Sequence, residues 1–427
     1  MDIKIDESIN TEIISTSRKT VKRYMIFAKW LFIASFVGIL VGLCGTLFHY
    51  SIDFATELRT KYPCIMYFMP IAGLIICFLY HLVKQSDQLT TNLVLESIRS
   101  SKRIPLVMAP LIFIATTLTH LVGASSGREG AALQLGGSLA TFIGEKLKLN
   151  ENDQRIIIMC GMSAAFSALF RTPIGASIFA IEVVSVGVMY YAALVPCVFA
   201  AFIAYIISGN LGVPQTKFFV PCNLEFNIFL LLKIIIVGVA CAIVSILFCY
   251  VLHTANKLYS KLIKNPYIRV IVGSILVIIL TLIVQSHDYL GAGMPIIENA
   301  LHGNVIWYAF LLKIIFTALS LGAGFKGGEI VPAFFIGSTF GAALGMILGM
   351  NPATCAAFGM IAVFCGVTNC PMTSFVLSTE MFGSGAAPYF MLIIAISYMM
   401  SGYTGLYTKQ KMMYSKYATQ FRNELTH

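Results

Sequence analysis

Two acidic residues stand in glycine clusters that recur along the chain. Gly127-Arg128-Glu129-Gly130 returns 200 residues later as Gly327-Gly328-Glu329-Ile330. An internal repeat in a membrane chain, with apolar segments broken by glycine at matching positions, indicates a transport site at the repeat interface. The chemistry to be sought is therefore that of a transport pathway.

A glycine cluster followed by an apolar helix exposes unpaired backbone N–H groups at the start of the helix. Together with the positive end of the helix dipole, these groups form an anion site without any fixed cation. Pro332 suits the first turn of a helix, where its missing N–H costs nothing. We therefore expect the amides of Ile330 and Val331 to face a bound anion.

Glu129 lies between two glycines inside an apolar region, where ionisable residues are costly and usually functional. An ionised carboxylate there can occupy the anion site itself, and a protonated one can leave it. The side chain would then act as a gate and as a proton carrier. The alternative is a carboxylate that pairs with Arg128 or caps the helix.

Glu329 occupies the matching position of the second half. If its side chain points into the pathway, it places a second carboxylate near Glu129, and one of the two should hold a proton. Glu329 is then a candidate for the inner proton step. The alternative is a pairing with Lys326. We expect Glu182 and Glu380, which end apolar stretches, to be local helix partners rather than proton relays.

The composition predicts an all-α polytopic membrane protein. Of the 427 residues, 58% are hydrophobic and 11% are charged, and the mean hydropathy is +0.84. Apolar runs long enough to cross a bilayer recur, as at 26–46 and 228–252, since a span takes about 20 helical residues. Shorter runs such as 353–364 predict broken helices that are buried in protein or line a cavity.

The formal net charge of +10 does not point to nucleic acid. The basic residues cluster in connecting segments, as cytoplasmic loops of membrane proteins require, and anionic lipid is the other partner they suit. We expect both termini in the cytoplasm and a multi-pass protein of the plasma (inner) membrane. The eleven cysteines include no C-x-x-C pair, so neither a metal site nor a cofactor is predicted.

The repeat divides the chain into five parts. A cytoplasmic N-terminal segment covers 1–23, and the first transmembrane repeat covers 24–210. A linker at 211–226 leads to the second transmembrane repeat at 227–408, and a cytoplasmic tail covers 409–427.

The glycine motifs, the run from Gly327 to Pro332 and the repeated halves resemble the CLC family of chloride channels and anion/proton exchangers. The resemblance implies two inverted-topology repeats with broken, re-entrant helices, and a homodimer with one anion pathway per subunit. It implies that Glu129 is the external gating glutamate and that Ile330 and Val331 supply amide donors. The hydroxyl of Tyr407 would face the central anion, and the backbone around it would be that of Gly127, Arg128 and Gly130.

The chain departs from the chloride pattern of this family. The family's Gly-Ser-Gly-Ile-Pro signature is replaced by 90–94, and the usual inner proton glutamate aligns with Val183. The combination of Asn92-Leu93-Val94 with Glu329 resembles the fluoride/proton antiporter branch, although a threonine is expected where Val331 stands. Thr91 and Asn92 are then expected as further donors to the anion.

Three functions stay open from the residues. Fluoride/proton antiport is the first, and chloride/proton exchange or a passive chloride channel is the second. The third is an intramembrane enzyme with Ser125 or Ser126 as nucleophile, which would need a base in reach, with His120 as the nearby histidine. A duplicated architecture with a carboxylate at each helix start suits an anion path better, so we expect no enzyme.

Overall fold

A computed structural model of the chain describes residues 2–83, 90–100, 102–220 and 227–426. These residues form 16 α-helices and three short strands. The predicted all-α fold is confirmed. Of the predicted linker at 211–226, the last six residues lie outside the described part of the chain.

The helices fall into two sets of eight that match in order. The first set comprises α1 Asp2–Lys61, α2 Met69–Leu82, α3 Thr91–Ser100, α4 Met108–Val122, α5 Glu129–Lys146, α6 Glu151–Phe170, α7 Pro173–Glu182 and α8 Leu194–Asn210. The second set comprises α9 Ile228–Leu262, α10 Pro266–Val284, α11 Met294–Leu301, α12 Ala309–Ala323, α13 Ile330–Leu348, α14 Pro352–Thr368, α15 Pro371–Phe382 and α16 Ala387–Met400. Helix α1 runs across the predicted boundary at residue 23.

Six helical segments of the described chain are long and apolar enough to cross a membrane. They are Lys19–Lys61, Pro63–Leu82, Tyr191–Asn210, Ile228–Leu262, Pro266–Val284 and Ile330–Leu348. Several of the other helices are too short, as the 10 residues of α7 extend only about 15 Å at a rise of about 1.5 Å per residue. These broken helices are buried against their neighbours, as the sequence predicts.

The same turn follows α6 and α14. Each helix ends at a left-handed residue, Arg171 with φ 53° and Asn369 with φ 58°. Two residues later a proline opens the next short helix, at Pro173 and at Pro371. A left-handed residue ends a helix by satisfying its last carbonyls, and proline at the first helical position is already set for the new direction.

Glycines allow the closest helix contacts in both halves. A Cβ on Gly136 of α5 would overlap the carbonyl of Gly161 on α6, and a Cβ on Gly337 of α13 would overlap the carbonyl of Gly359 on α14. Small residues let helix backbones approach in a membrane, where packing drives association. The two helices that begin beside the glutamates are thus held by the same kind of contact.

The C-terminal tail packs back onto the helices. Strand β2 Lys411–Tyr414 pairs in parallel with β1 Ser185–Val186 and antiparallel with β3 Phe421–Leu425. The side-chain amide of Gln410 donates to the carbonyls of Val183 and Thr368, both at 2.9 Å. The tail therefore ties the end of α7 to the end of α14.

Substitution Gly136→Ala should destabilise the protein, because the new methyl group meets a backbone carbonyl that cannot move away. Overpacking of this kind costs about 1–3 kcal/mol. The measurement is the midpoint of thermal unfolding in detergent. Gly385→Ala is the matched control, since a Cβ there has no neighbour within 4 Å, and equal midpoints for the two variants would contradict the prediction.

Candidate functional site

The starts of α5 and α13 meet through a pair of backbone hydrogen bonds. Gly127 N–H donates to Gly328 O at 2.6 Å, and Gly328 N–H donates to Gly127 O at 2.7 Å. The two segments run antiparallel, as two halves related by an axis in the membrane plane require. A Cβ on Gly328 would lie 3.0 Å from the amide nitrogen of Glu129, so a side chain there would force the segments apart. The positive ends of two helices consequently face one region.

The carboxylate of Glu129 occupies that region. The side chain is fully buried, and its Oε2 accepts from Arg128 N–H at 3.0 Å and from Val331 N–H at 3.3 Å. Val331 belongs to the first turn of α13, so the donor comes from the other half of the molecule. Glu129 Oε1 is buried with no hydrogen-bond partner among the described residues. One carboxylate oxygen is thus bound where an anion is expected to sit.

The guanidinium of Arg128 points away from Glu129. Its Nη1 lies 3.1 Å from Asp53 Oδ1 and 2.8 Å from His49 Nδ1. A cavity of about 560 Å³ opens on this side, and Arg128, Asp53, Arg59 and His120 contribute to its lining. We refer to it as the Arg128 cavity. The alternative in which Arg128 pairs with the Glu129 carboxylate is therefore not the arrangement found.

A second and larger cavity, of about 810 Å³, opens on the side of the C-terminal tail. Its lining includes Thr91, Asn92, Gln134, Glu329 and Tyr407, and we refer to it as the Tyr407 cavity. Tyr407 is 2% exposed, and its hydroxyl has no hydrogen-bond partner among the described residues. This hydroxyl is the donor that the sequence assigned to the anion, and it is available.

Glu329 contributes its carboxylate to the same cavity. Its Oε2 is buried without a partner among the described residues, and it lies 3.4 Å from the point that a Cβ on Gly130 would occupy. The Lys326 ammonium lies over the ring of Tyr80, 4.5 Å from its centre. Although the two glutamates match in sequence, their side chains thus take different directions: Glu129 turns toward the paired helix starts, and Glu329 lines the Tyr407 cavity.

Thr91 lies beside these groups, but its hydroxyl is already bonded. Thr91 Oγ1 donates to Gly130 O at 3.3 Å and accepts from Gln134 Nε2 at 3.0 Å. A hydroxyl has one hydrogen to donate, so in this arrangement Thr91 offers none to an anion. Gln134 was not among the site residues predicted from the sequence. The signal that could have found it is an amide five residues after Glu129 in a helix that is otherwise apolar over that stretch.

Asn92 holds the segment around Tyr407. Its side-chain amide donates to Thr408 Oγ1 at 3.2 Å, and its Oδ1 accepts from Lys409 N–H at 3.2 Å. The structure thus gives Asn92 a positioning contact across more than 300 residues of sequence. Ile330 is fully buried at the start of α13. The Cα of Gly328 lies 3.1 Å from the position that a Cβ on residue 130 would occupy, and the glycine at 130 allows this close approach.

The family model for voltage gated chloride channels matches residues 72–402. The chain belongs to this CLC family. A relative from Pseudomonas syringae pv. tomato, described as a chloride/fluoride channel protein, is 34% identical over 405 residues, which cover 93% of this chain and 90% of the relative.

Solved structures of CLC proteins share the fold. The crystal structure of a CLC-type fluoride/proton antiporter matches with a TM-score of 0.87 at 31% identity, covering 91% of this chain and 99% of that one. A slow cyanobacterial Cl⁻/H⁺ antiporter matches with a TM-score of 0.75 at 18% identity, over 87% of this chain and 94% of that one. At the lower identity the match bears on the fold alone.

In this CLC chain Glu182 and Glu380 join the two halves by reciprocal helix caps. Glu182, at the end of α7, accepts from Met372 N–H at 3.0 Å and Thr373 N–H at 2.7 Å at the start of α15. Glu380, near the end of α15, accepts from Ile174 N–H at 3.0 Å and Gly175 N–H at 2.7 Å at the start of α7. Carboxylates at helix starts satisfy orphan donors and the helix dipole. Both are thus helix partners, but the prediction of local partners is wrong, because each carboxylate bonds to a helix of the other repeat.

Of the residues considered for an enzyme, Ser125 and His120 bond elsewhere, whereas Ser126 Oγ is buried without a hydrogen-bond partner among the described residues. Ser125 Oγ pairs with Thr317 Oγ1 at 3.0 Å, and His120 Nδ1 lies 2.9 Å from Thr116 O. Nucleophile and base must lie within hydrogen-bond reach of each other, and these contacts turn Ser125 and His120 toward different partners. Family membership also places the chain among channels and transporters.

Glu182→Gln should lower stability and leave proton coupling intact, because the Glu182 carboxylate is hydrogen-bonded to the N–H groups at the start of α15. A lost charge-assisted bond at a buried site costs about 1–3 kcal/mol, and one amide hydrogen would now face the Thr373 N–H. Thermal unfolding and proton-coupled flux are measured on the same preparation. Glu380→Gln is the matched variant from the other half. Loss of coupling in Glu182→Gln without loss of stability would instead make Glu182 a relay.

Proposed function

We propose that this CLC chain exchanges fluoride for protons across a membrane, as a homodimer with one pathway in each subunit. Two relatives support the choice of ion. The Pseudomonas syringae relative is described as a chloride/fluoride channel protein, and the structure with 31% identity is that of a fluoride/proton antiporter. The site geometry supports the exchange itself.

The observation that carries the proposal is the contact between Glu129 Oε2 and Val331 N–H, at 3.3 Å. An ionised carboxylate here uses a donor that an anion would also use. Protonation removes the charge that holds the carboxylate in front of the paired helix starts. The side chain can then leave with its proton while an anion takes its place, so that anion and proton alternate at one point.

Glu329 gives the proton a second carboxylate on the side of the Tyr407 cavity. In the repeat, Glu329 is the equivalent of Glu129, the proposed gate of the first half. Its Oε2 has no hydrogen-bond partner among the described residues. Two carboxylates in a low-dielectric pathway cannot comfortably both be ionised. A proton carried inward by Glu129 therefore has an acceptor that the chloride pattern of the family does not provide here.

Fluoride is small and a strong hydrogen-bond acceptor, so a selective site should supply close donors. Val331 N–H and the Tyr407 hydroxyl are the two donors that geometry supports directly, and the Ile330 amide adjoins them. Thr91 joins this set only if its hydroxyl gives up its bond to Gly130 O. Asn92 supports the set by holding Thr408 beside Tyr407.

The orientation follows from the basic residues. Lys257 and Lys326 line the Tyr407 cavity, and lysines favour the cytoplasmic side of membrane proteins. We place the Tyr407 cavity and both termini in the cytoplasm, and the Arg128 cavity outside. The protein would then sit in the plasma (inner) membrane and expel fluoride.

Purified protein in liposomes tests the ion and the coupling together. With the voltage clamped by potassium and valinomycin, an outward fluoride gradient should drive protons inward and make the outer solution alkaline. Fluoride and pH electrodes follow both fluxes. An equal chloride gradient is the comparison: stronger proton movement with chloride would establish the chloride/proton exchanger instead, and anion efflux without protons would establish a channel.

Glu129→Gln should abolish proton uptake, because a neutral amide neither carries a proton nor returns to the anion site as a charge. We expect the fluoride-driven proton flux to fall by at least about 100-fold, within the range that a positioned proton-transfer group contributes. Asp53→Asn, which alters a neighbour of Arg128, is the control for a general disturbance of this mouth. Proton flux at the wild-type rate in Glu129→Gln would make the gate assignment wrong.

Glu329→Gln should impair coupled flux while the protein stays folded, because the inner acceptor can no longer take a proton. Lys326→Gln is the matched control for the pairing alternative. A surface ion pair is worth about 0–1 kcal/mol. If Glu329 served only Lys326, both variants would show the same small change in unfolding midpoint and normal coupling.

A further inference from the structure

A repeated sequence in the first helix of each half places one further residue of each half beside the two cavities. Leu47-Phe48 and Tyr50 of α1 recur as Leu247-Phe248 and Tyr250 of α9, at the same spacing of 200 that separates Glu129 from Glu329. In this register Asp53 corresponds to His253. The same helix position thus carries a titratable side chain in both halves.

The first of these residues lies at the mouth on the Arg128 side. Asp53 lines the Arg128 cavity, and its Oδ1 contacts the guanidinium of Arg128 at 3.1 Å. Arg128 directly precedes Glu129. In the first half, this helix position therefore faces the Arg128 cavity, beside the residue that precedes Glu129.

The second residue lies at the mouth on the tail side. His253 is half-buried and lines the Tyr407 cavity together with Glu329 and Tyr407. Its Nε2 lies 2.8 Å from Gly405 O. A carbonyl oxygen can only accept, so Nε2 carries a hydrogen, and Nδ1 is the nitrogen left to gain or lose a proton.

In the proposed exchange, a proton that moves between Glu329 and the cytoplasmic solution crosses this cavity. Val183 stands where the family resemblance places an inner glutamate, and its side chain is fully buried. Glu182 is held by the start of α15, as described above. The other ionisable residues that line the cavity are Tyr250, Lys257, Lys326 and Tyr407. Imidazole changes charge between about pH 5 and 8.

We propose that His253 exchanges protons between the cytoplasmic solution and Glu329. The imidazolium releases the Nδ1 proton, which moves through cavity water to the Glu329 carboxylate and leaves a neutral imidazole and a neutral acid. In the reverse step, Glu329 gives the proton back and the imidazole becomes charged. The inference rests on the proposed proton coupling, and it assigns the group that couples Glu329 to the cytoplasm.

Two substitutions separate proton exchange from a purely structural role. His253→Gln keeps a donor for Gly405 O and cannot titrate. His253→Asp removes the donor and restores a group that can carry a proton, the one that the repeat itself places at residue 53. The readout is the fluoride-driven proton flux of each variant in liposomes, at equal inner and outer pH from about 5 to 8.5, the interval around histidine titration.

We expect His253→Gln to lower the proton flux by about tenfold or more, since a positioned proton-transfer group contributes at least that much. His253→Asp should recover flux at acidic pH, with its profile displaced toward lower pH. Lys257→Gln, one helical turn away in the same cavity, should change the size of the flux but not the shape of the profile.

Normal flux in His253→Gln together with weak flux in His253→Asp would reduce His253 to a donor that supports Gly405. Flux in His253→Asp no better than in His253→Gln at any pH would also overturn the inference. Failure of the proposed function is a different result, since the wild-type protein would then move fluoride without moving protons.

Discussion

The site depends on one backbone contact, the two hydrogen bonds that Gly127 and Gly328 exchange at 2.6 and 2.7 Å. This contact brings the starts of α5 and α13 together inside an apolar layer. Each helix start carries unpaired N–H groups and a partial positive charge. The pair therefore favours a negative charge at its centre, and the Glu129 carboxylate supplies it. A side chain at Gly328 would press on the Glu129 amide and separate the donors.

The repeat supplies equivalent backbones, and the residues that differ give the halves different roles. Gly328 in the second half matches Arg128 in the first. The guanidinium of Arg128 bonds to Asp53 and His49, and Gly328 has no side chain to make an equivalent contact. The Glu129 side chain bonds at the helix starts, whereas Glu329 faces the Tyr407 cavity. The proposed roles of Glu129 as a gate and of Glu329 as a proton acceptor rest on these departures from symmetry.

The elements and motifs could be predicted because their causes are local. Glycine clusters, proline after a left-handed turn and apolar runs each act within a few residues, and helices lie where these signals indicated. Long-range partners could not be predicted. Glu182 bonds to residues 190 positions away, and Asn92 bonds to Thr408. Thr91 illustrates the limit most clearly, since its residue type predicts a donor to the anion while the fold directs its hydrogen to Gly130 O.

Coupling in this site follows from a shortage of donors. The Thr91 hydroxyl donates to Gly130 O, and the Arg128 amide donates to the carboxylate of Glu129, the next residue. The Val331 amide donates to the same Glu129 oxygen, so the Tyr407 hydroxyl is the one of these donors that has no partner among the described residues. A site rich in free donors could hold the carboxylate and the anion together, and the anion would then leak past an ionised gate. In the proposed exchange, an anion that takes over the Arg128 and Val331 amides displaces the Glu129 carboxylate, and a displaced carboxylate in a low-dielectric pathway takes up a proton.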